Sequence, residues 1–490
     1  MRRFDYSRVS ASLCAATISA LLGGCAVGPD YETPATATPD TWNSPLTDGL
    51  APEPWRTDRW WTAFSDETLE TLIERAAANN HDFRIALARV REARAQRASA
   101  RGERVPQIDA TGSFQRSRIS ENSRDNDLPE SVAGDRNLYK AGFDASWELD
   151  FFGRIERTIE AADASYQSTI EASNDVLVSL LAEVAINYID ARSLQRRLQL
   201  ARENAASQAQ SVELTQTREA AGLAPKLDIH QAQTNLATTN ALIPQLEITL
   251  QAALNRLAVL TGEHPGTVHE LVLRSDDIPV PPSAVAVGVP ADVLRHRPDI
   301  RRAERDLAAQ TARVGVATAE LYPKFTLTGT FEWQAVESQD LFSINSKSYG
   351  FGPRFEWNIF DGGRIRNQIE VEDARVEQSM LEYEQTVLRA MEEVENALVA
   401  YVQEREGYRA LQRAVAESEE SVRLARALYE EGFSDFQNLL DSQRSLRNLQ
   451  DTLARTEGRL STSIVTLYKA LGGGWQTIVD DRIADATTDG

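Results

Sequence analysis

Cysteine is nearly absent from this 490-residue chain, which has only Cys14 and Cys25. Cys14 lies in an N-terminal segment with the character of an export signal: Arg2, Arg3 and Arg8, then an apolar run from Leu13 to Leu22. The processed chain therefore keeps Cys25 alone and can form no internal disulfide, so stability must come from packing. Long apolar runs are missing too. Beyond the signal no stretch offers the roughly 18 consecutive apolar residues of a membrane helix. A mean hydropathy of -0.39 with 26% charged residues excludes a bundle of such helices. Positive charge is in deficit, with 52 Lys and Arg against 73 Asp and Glu. The net charge of -21 deepens to -23 when residues 1–24 leave with three Arg and one Asp. Such a chain repels nucleic acid, and most of its acidic residues read as solvated faces of long helices.

Patterns of catalysis and metal binding are lacking as well. His81, His230, His264, His269 and His296 are scattered without ligand spacing. There is no H-E-x-x-H, phosphate-binding Gly-Lys loop or G-x-S-x-G elbow. His296-Arg297-Pro298-Asp299 has the look of a kinase catalytic loop, but the downstream Asn and Asp-Phe-Gly elements are missing. Pro298 opening a helix with Asp299 in its first turn accounts for it. No enzyme, cofactor or metal site is expected.

What the chain does contain is itself, twice. Gly142-x4-Trp147-x5-Gly153-Arg154-Ile155 returns as Gly352-x4-Trp357-x5-Gly363-Arg364-Ile365, 210 positions on. Glu183-Val184 matches Glu393-Val394, Gly222 matches Gly432, Gln233 matches Gln443 and Gly262 matches Gly472 at the same offset. Upstream the offset is 217, pairing Asp82 with Asp299, Ala86 with Ala303 and Pro106 with Pro323. The difference is a loss of 7 residues between Phe331 and Gly352. A duplication of this kind governs any reading of the fold.

Each copy passes through the same changes of period. In the first, Leu69, Leu72, Ile73 and Ala76 recur at helical spacing, and a helix from Asp82 to about Arg104 ends before Pro106. Strict alternation follows at about 107–119 and 138–149, and in the second copy at about 324–335 and 348–359. These four segments have the length of strands that cross a bilayer at a tilt. Their aromatic residues gather on the apolar faces; a soluble sheet packed on helices shows the same alternation. Four strands cannot close a barrel, and an open edge in lipid strands backbone polar groups, so a membrane sheet here needs several chains.

The segments 154–221 and 364–431 then lack proline over 68 residues each, long enough for helices of roughly 100 Å. Leu177, Leu181, Val184, Tyr188, Ala191, Leu194, Leu198, Ala201 and Ala205 step by four and three, as do Val387, Met391, Val394, Leu398 and Tyr401, which is the seam of coiled-coil packing. Gly222 and Gly432 end these helices, and 227–261 and 437–471 return antiparallel. The expected organisation is a signal peptide (1–24), an extended segment (25–63), repeat 1 (64–262, turn near 222–226), a Pro- and Val-rich connector with a short strand (263–298), repeat 2 (299–472, turn near 432–436) and a tail (473–490).

Leu22-Gly23-Gly24-Cys25 resembles the bacterial lipobox, which implies cleavage before Cys25 and its acylation, with palmitate expected. Ala26, rather than an aspartate, favours the outer membrane. Over nearly its whole processed length the chain resembles the TolC/OprM-type outer membrane factors, in the NodT-like lipoprotein subgroup. The residues that carry the resemblance are Cys25-Ala26-Val27-Gly28-Pro29-Asp30-Tyr31, Trp60-Trp61 with Asn79-Asn80 in the first helix, Arg297-Pro298-Asp299-Ile300 with Ala303-Glu304, and Gly432-Phe433 with Leu440-Asp441 and Gln443.

The resemblance implies a mainly α protein with a β-barrel part. As a homotrimer, it would form a twelve-stranded barrel and a periplasmic α-helical tunnel in a Gram-negative outer membrane. It implies an exit duct for drugs or other small toxic compounds, served by a periplasmic adaptor and an inner-membrane pump of RND type. The alternatives are the duct of a type I protein secretion system or a structural periplasmic coiled-coil lipoprotein. Carried over residue by residue, Asp441 falls on a constriction aspartate, Tyr429 on a tyrosine of the closing network and Asp228 on its acidic partner. Asn438 stands where some members have a second aspartate. Gly222 and Gly432 mark the turns near the adaptor, while Phe331, Trp333, Phe351, Phe355, Trp357 and Trp147 would face lipid.

Overall fold

The computed structural model describes residues 26–35, 39–47, 49–51, 59–118, 135–274, 277–279 and 285–478. Cys25, the signal and residues 479–490 lie outside them. In chain order the elements are β1 (Leu50–Ala51), α1 (Glu67–Asn79), α2 (His81–Gly102), β2 (Gln107–Arg118), β3 (Asp135–Leu149), α3 (Arg154–Ala220) and α4 (Lys226–Leu260). They continue as α5 (His269–Val272), β4 (Val285–Ala286), α6 (Pro290–His296), α7 (Pro298–Ala319), β5 (Lys324–Ala335), β6 (Lys347–Glu356), α8 (Arg364–Glu430) and α9 (Phe436–Ala470). The duplication is reproduced in these bounds. α2 and α7 have 22 residues each and start 217 apart; α3 and α8 have 67 and α4 and α9 have 35, starting 210 apart.

The chain divides into two compact units. One holds the described residues up to Pro34 with those of Arg91–Thr169 and Ala303–Tyr383. Its centre is a four-stranded antiparallel sheet in the order β2-β3-β5-β6. Register decides what the sheet presents. Phe114 pairs with Tyr139, Phe143 with Phe331 and Phe331 with Tyr349, while Trp147 pairs with Leu327 and Leu149 with Phe325, which pairs with Phe355. Directly opposed residues share a face, so the alternating apolar positions of all four strands merge into one apolar face. On the other face Thr111 pairs with Gly142, which pairs with Glu332, and Asp109 pairs with Asp144, which pairs with Thr330.

Two strand ends differ from expectation. β3 begins at Asp135, three residues before 138, because Asp135 still pairs with Arg118. β6 ends at Glu356, not 359, because its partner β5 begins at Lys324, opposite Glu356. Trp357 therefore lies beyond the strand. Residue 119 is outside the described set.

In the same unit the N-terminal segment is clasped at the strand-to-helix junction. Val27 N donates to Phe152 O at 3.1 Å. The buried Arg157 guanidinium donates to Val27 O at 3.1 Å and to Asp30 Oδ1 at 2.6 Å. Gly153 turns the chain at φ +75°, and a Cβ there would lie 2.6 Å from Ala26 Cα.

The second unit holds Ala35–Val90, Ile170–Arg302 and the described residues from Glu384. The expected seam is its core: Leu177, Leu181, Val184, Tyr188, Ala191, Leu198, Val394, Leu398 and Tyr401 are all buried. α3 packs against α9 through Gly458, which lets Ser193 approach, and Ser193 Oγ donates to Ala454 O at 3.1 Å. β1 pairs in parallel with β4, and Trp42 Nε1 donates to Gly288 O at 3.1 Å. Trp60 and Trp61 form a 3-10 turn, Trp60–Phe64, ahead of α1; Asn79 ends α1, and Asn80 lies between α1 and α2. Asn80 Nδ2 donates to Leu260 O at 2.9 Å, and its counterpart Arg297 donates from Nη1 to Ala470 O at 2.7 Å. Each copy thus seals the end of its returning helix from the same position. α7 opens at Pro298 with Asp299 in its first turn, held by Arg297 at 2.7 Å.

The two junction glycines make a comparison. Gly363 has φ +89° but open space around an added Cβ. Gly363→Ala should therefore cost only the left-handed backbone term, about 1 kcal/mol, while Gly153→Ala adds the clash with Ala26 and should cost more. Thermal unfolding midpoints of the two variants should fall in that order.

Candidate functional site

Both long helices end in the same motif. Gly222 N donates to Glu219 O and Leu223 N to Arg218 O, each at 2.8 Å. Gly432 N donates to Tyr429 O at 3.1 Å and Phe433 N to Leu428 O at 2.8 Å. These are Schellman caps, and the φ of +72° and +79° at Gly222 and Gly432 is why glycine stands there. The following Leu223 and Phe433 are exposed, Phe433 to 81%.

Beside the turns Tyr429, Phe436, Leu439, Leu440 and Ala232 form a buried cluster. Tyr429 Oη donates to Asp228 Oδ2 at 3.2 Å. Burial, and then the Asp228 carboxylate, push the phenol up to about 12, so it remains a donor at neutral pH. Arg218, absent from the sequence reading, joins the two copies here: its guanidinium lies 4.9 Å from the Tyr429 ring centre and donates to Glu430 O at 2.7 Å.

Asp441 and Asn438 are not part of this latch. They sit on the exposed side of α9, away from Phe436, Leu439 and Leu440. Gln437 Nε2 donates to both Asp441 oxygens at 3.0 and 3.1 Å, and Arg444 stands at 3.9 Å. Asn438 Nδ2 donates to Ser434 Oγ at 2.9 Å. One layer inward, the buried Gln443 donates to Ser211 Oγ at 2.8 Å, beside Arg426, which donates to Ser207 O at 3.2 Å. Gln443 was already visible as the repeat partner of Gln233; Arg218 and Arg426 carried no pattern.

On the sheet, Phe351 is 85% exposed, and Phe331, Phe355, Trp357 and Trp147 are exposed too; Trp333 is partly covered by Phe331 and Phe342. Trp147 Nε1 donates to Arg104 O at 2.9 Å and Trp357 Nε1 to Leu321 O at 3.0 Å. The acceptors, like the donors, are repeat partners, so each copy ties its tryptophan to the turn that follows α2 or α7. No helix among the described residues is long and apolar enough to cross a membrane. Among those residues no cluster of His, Cys, Asp and Glu could hold a metal.

Tyr429→Phe removes the hydroxyl while keeping the ring, and should lower stability at the turns by about 1 kcal/mol; Tyr429→Ala should cost about 3 kcal/mol. Tryptic cleavage next to Arg218 and Lys226 should accelerate in that order. The phenol is raised from an ordinary value near 10, so the wild-type advantage over Tyr429→Phe is complete below about pH 10 and lost towards about 12.

Comparison with known proteins finds relatives along nearly the whole chain. Nodulation protein T of Rhizobium leguminosarum bv. trifolii is 33% identical over 462 residues, covering 94% of this chain and 97% of that protein. The cation efflux system protein CusC of Escherichia coli O6:H1 is 32% identical over 461 residues, 94% and 98% of the two chains. The solved outer-membrane channel OprN superimposes with a TM-score of 0.86 at 35% identity, over 92% of this chain and all of that one. The profile of the family described as Outer membrane efflux protein matches residues 72–263 and 289–473, and the chain belongs to that family.

Proposed function

We propose that three copies of this chain form the outer membrane exit duct of a tripartite efflux system, with a periplasmic adaptor and an RND-type inner-membrane pump as partners. The observation that carries this reading is the sheet: one continuous apolar face, one polar face and two unpaired edges. Its strands of 10 to 15 residues suit a tilted membrane crossing. Four strands from each of three chains close a twelve-stranded barrel, with the apolar face to lipid and the polar face to the lumen. Phe331, Trp333, Phe351, Phe355, Trp147 and Trp357 then contact lipid or its interfaces. Acylation of Cys25 would tether each copy from the residue before Ala26, which is seated at the Gly153 junction. The duct is passive: cargo is selected by the pump, and small toxic compounds suit a lumen lined by the polar face of the sheet.

The periplasmic gate has two parts. The Tyr429–Asp228 bond and Arg218 hold the helical turns together, and Asp441, exposed in the single chain, supplies one carboxylate per copy to a ring around the axis, with Asn438 beside it. Adaptor docking near Gly222 and Gly432 would loosen the latch.

Asp441→Ala should raise the single-channel conductance of the protein in planar bilayers severalfold. Unchanged conductance would remove Asp441 from the gate, and absence of any pore in wild type and variant alike would remove the duct.

A further inference from the structure

A groove of about 750 Å³ lies wholly within the unit that holds the sheet, lined by the four helices joined to the strands, α2, α3, α7 and α8. Its floor is apolar, with Ala161, Ala162, Val316 and Ala317, and Tyr166 lines it too. The N-terminal segment covers a different side of these helices: Gly28 lies on Gly315, and Tyr31 packs on Ala164, Ala308 and Ala309. On α7 the lining residues Arg313, Val316, Ala317 and Glu320 all lie roughly 100° or more around the helix from Gly315. Ala26 in turn shares a hollow with Trp147 and Leu149 of the apolar sheet face. The groove therefore opens on the side of the polar sheet face, towards the lumen of the duct.

The duplication separates what packing requires here from what it does not. In the first copy Ala93, Gln96, Ala162 and Ser165 line the groove. Shifted by 217 on α2 and by 210 on α3, these positions become Gln310, Arg313, Glu372 and Arg375 in the second. The first copy builds the same helix pair with no charge at any of the four, so packing alone does not call for the charges of the second.

Those four residues form one chain of hydrogen bonds. Gln310 Nε2 donates to Glu372 Oε2 at 2.6 Å, and Arg375 Nη1 and Gln368 Nε2 donate to Glu372 Oε1, each at 2.8 Å. Burial opposes ionisation of Glu372, but these donors outweigh it and hold the carboxyl below the usual carboxylate range. Arg313 Nη1 donates to Gln310 Oε1 at 3.0 Å. A buried carboxylate, already saturated with donors, thus fixes two arginines at the groove wall. Arg313 is exposed and has no ion-pair partner among the described residues. The other lining carboxylate, Glu320, is paired with Lys324 at 2.7 Å.

We infer that this groove binds amphipathic organic anions, with the acidic head on Arg313 and Arg375 and the apolar body along the alanine floor. The inference rests on the duct reading for the route by which such compounds arrive, and it names a class of cargo. The volume is that of a site for a drug-sized molecule. Arg313 keeps Nε and Nη2 for a bidentate contact with a carboxylate or sulfonate. Tyr166 Oη accepts from Arg94 Nη2 at 3.3 Å, which leaves its hydrogen for the same ligand. A cation finds no acceptor here, because Glu372 and Glu320 are both engaged.

The test uses cholate, an amphipathic carboxylate, and its uncharged methyl ester. Isothermal titration of the processed protein in phosphatidylcholine nanodiscs, with empty nanodiscs subtracted, should give a Kd for cholate at least tenfold tighter in wild type than in Arg313→Gln. The methyl ester should bind both weakly and alike. Arg313 bonds within its own helix and glutamine is the first-copy residue at this position, so the variant should keep the wild-type unfolding midpoint. Equal affinities of wild type and variant for cholate, or an ester that binds as tightly as the acid, overturn the anion site. In planar bilayers, cholate added on the barrel side should interrupt the wild-type current at least tenfold longer than that of Arg313→Gln. Interruptions of equal length overturn the groove's place on the cargo route. A wild type that binds cholate through Arg313 yet forms no pore supports the site and overturns the duct reading instead.

Discussion

Unpaired backbone N–H and C=O groups are the constraint on which this architecture turns. In water the outer edges of β2 and β6 would be solvated; in hydrocarbon each unsatisfied group costs several kcal/mol. A sheet with one apolar face therefore cannot enter lipid as a single chain. Closure with further copies is the solution, and the family to which the chain belongs is the independent ground for placing it in the outer membrane.

The duplication makes closure economical. One hairpin design, used twice, gives four strands with two kinds of neighbour, and the interface between the copies is a ready pattern for the interface between chains. The same economy appears in details. Trp147 and Trp357 bond to the turns that follow α2 and α7, Asn80 and Arg297 to the ends of the returning helices, and Gly222 and Gly432 build the same cap. The copies diverge at the hairpin turns: Tyr429, Arg218 and Asp228 are in contact there, whereas their repeat counterparts are Glu219, Leu428 and Asn438.

Much of this was legible in the sequence because it is periodic. Alternation located the strands, three-four spacing located the seam from Leu177 to Ala201, and the repeat located both turns. What periodicity does not encode was missed. The end of β6 at Glu356 depends on where its partner begins, not on the Trp357-Asn358-Ile359 pattern, which alternates regardless. Arg218 and the fully buried Arg192, held by Tyr188 and Val272 O, look like any solvated helix arginine until their neighbours are placed. Asp441 and Tyr429 lie close in the sequence but stand in different surroundings, Tyr429 buried against Asp228 and Asp441 exposed beside Gln437, and periodicity does not tell the two apart.

The central claim is that the sheet is a third of a barrel, and stoichiometry tests it most directly. Native mass spectrometry of the protein released from detergent should show a single species of three chains. A monodisperse single chain with its sheet intact would contradict the account, because a four-stranded sheet with open edges would then be stable in a membrane-like environment on its own.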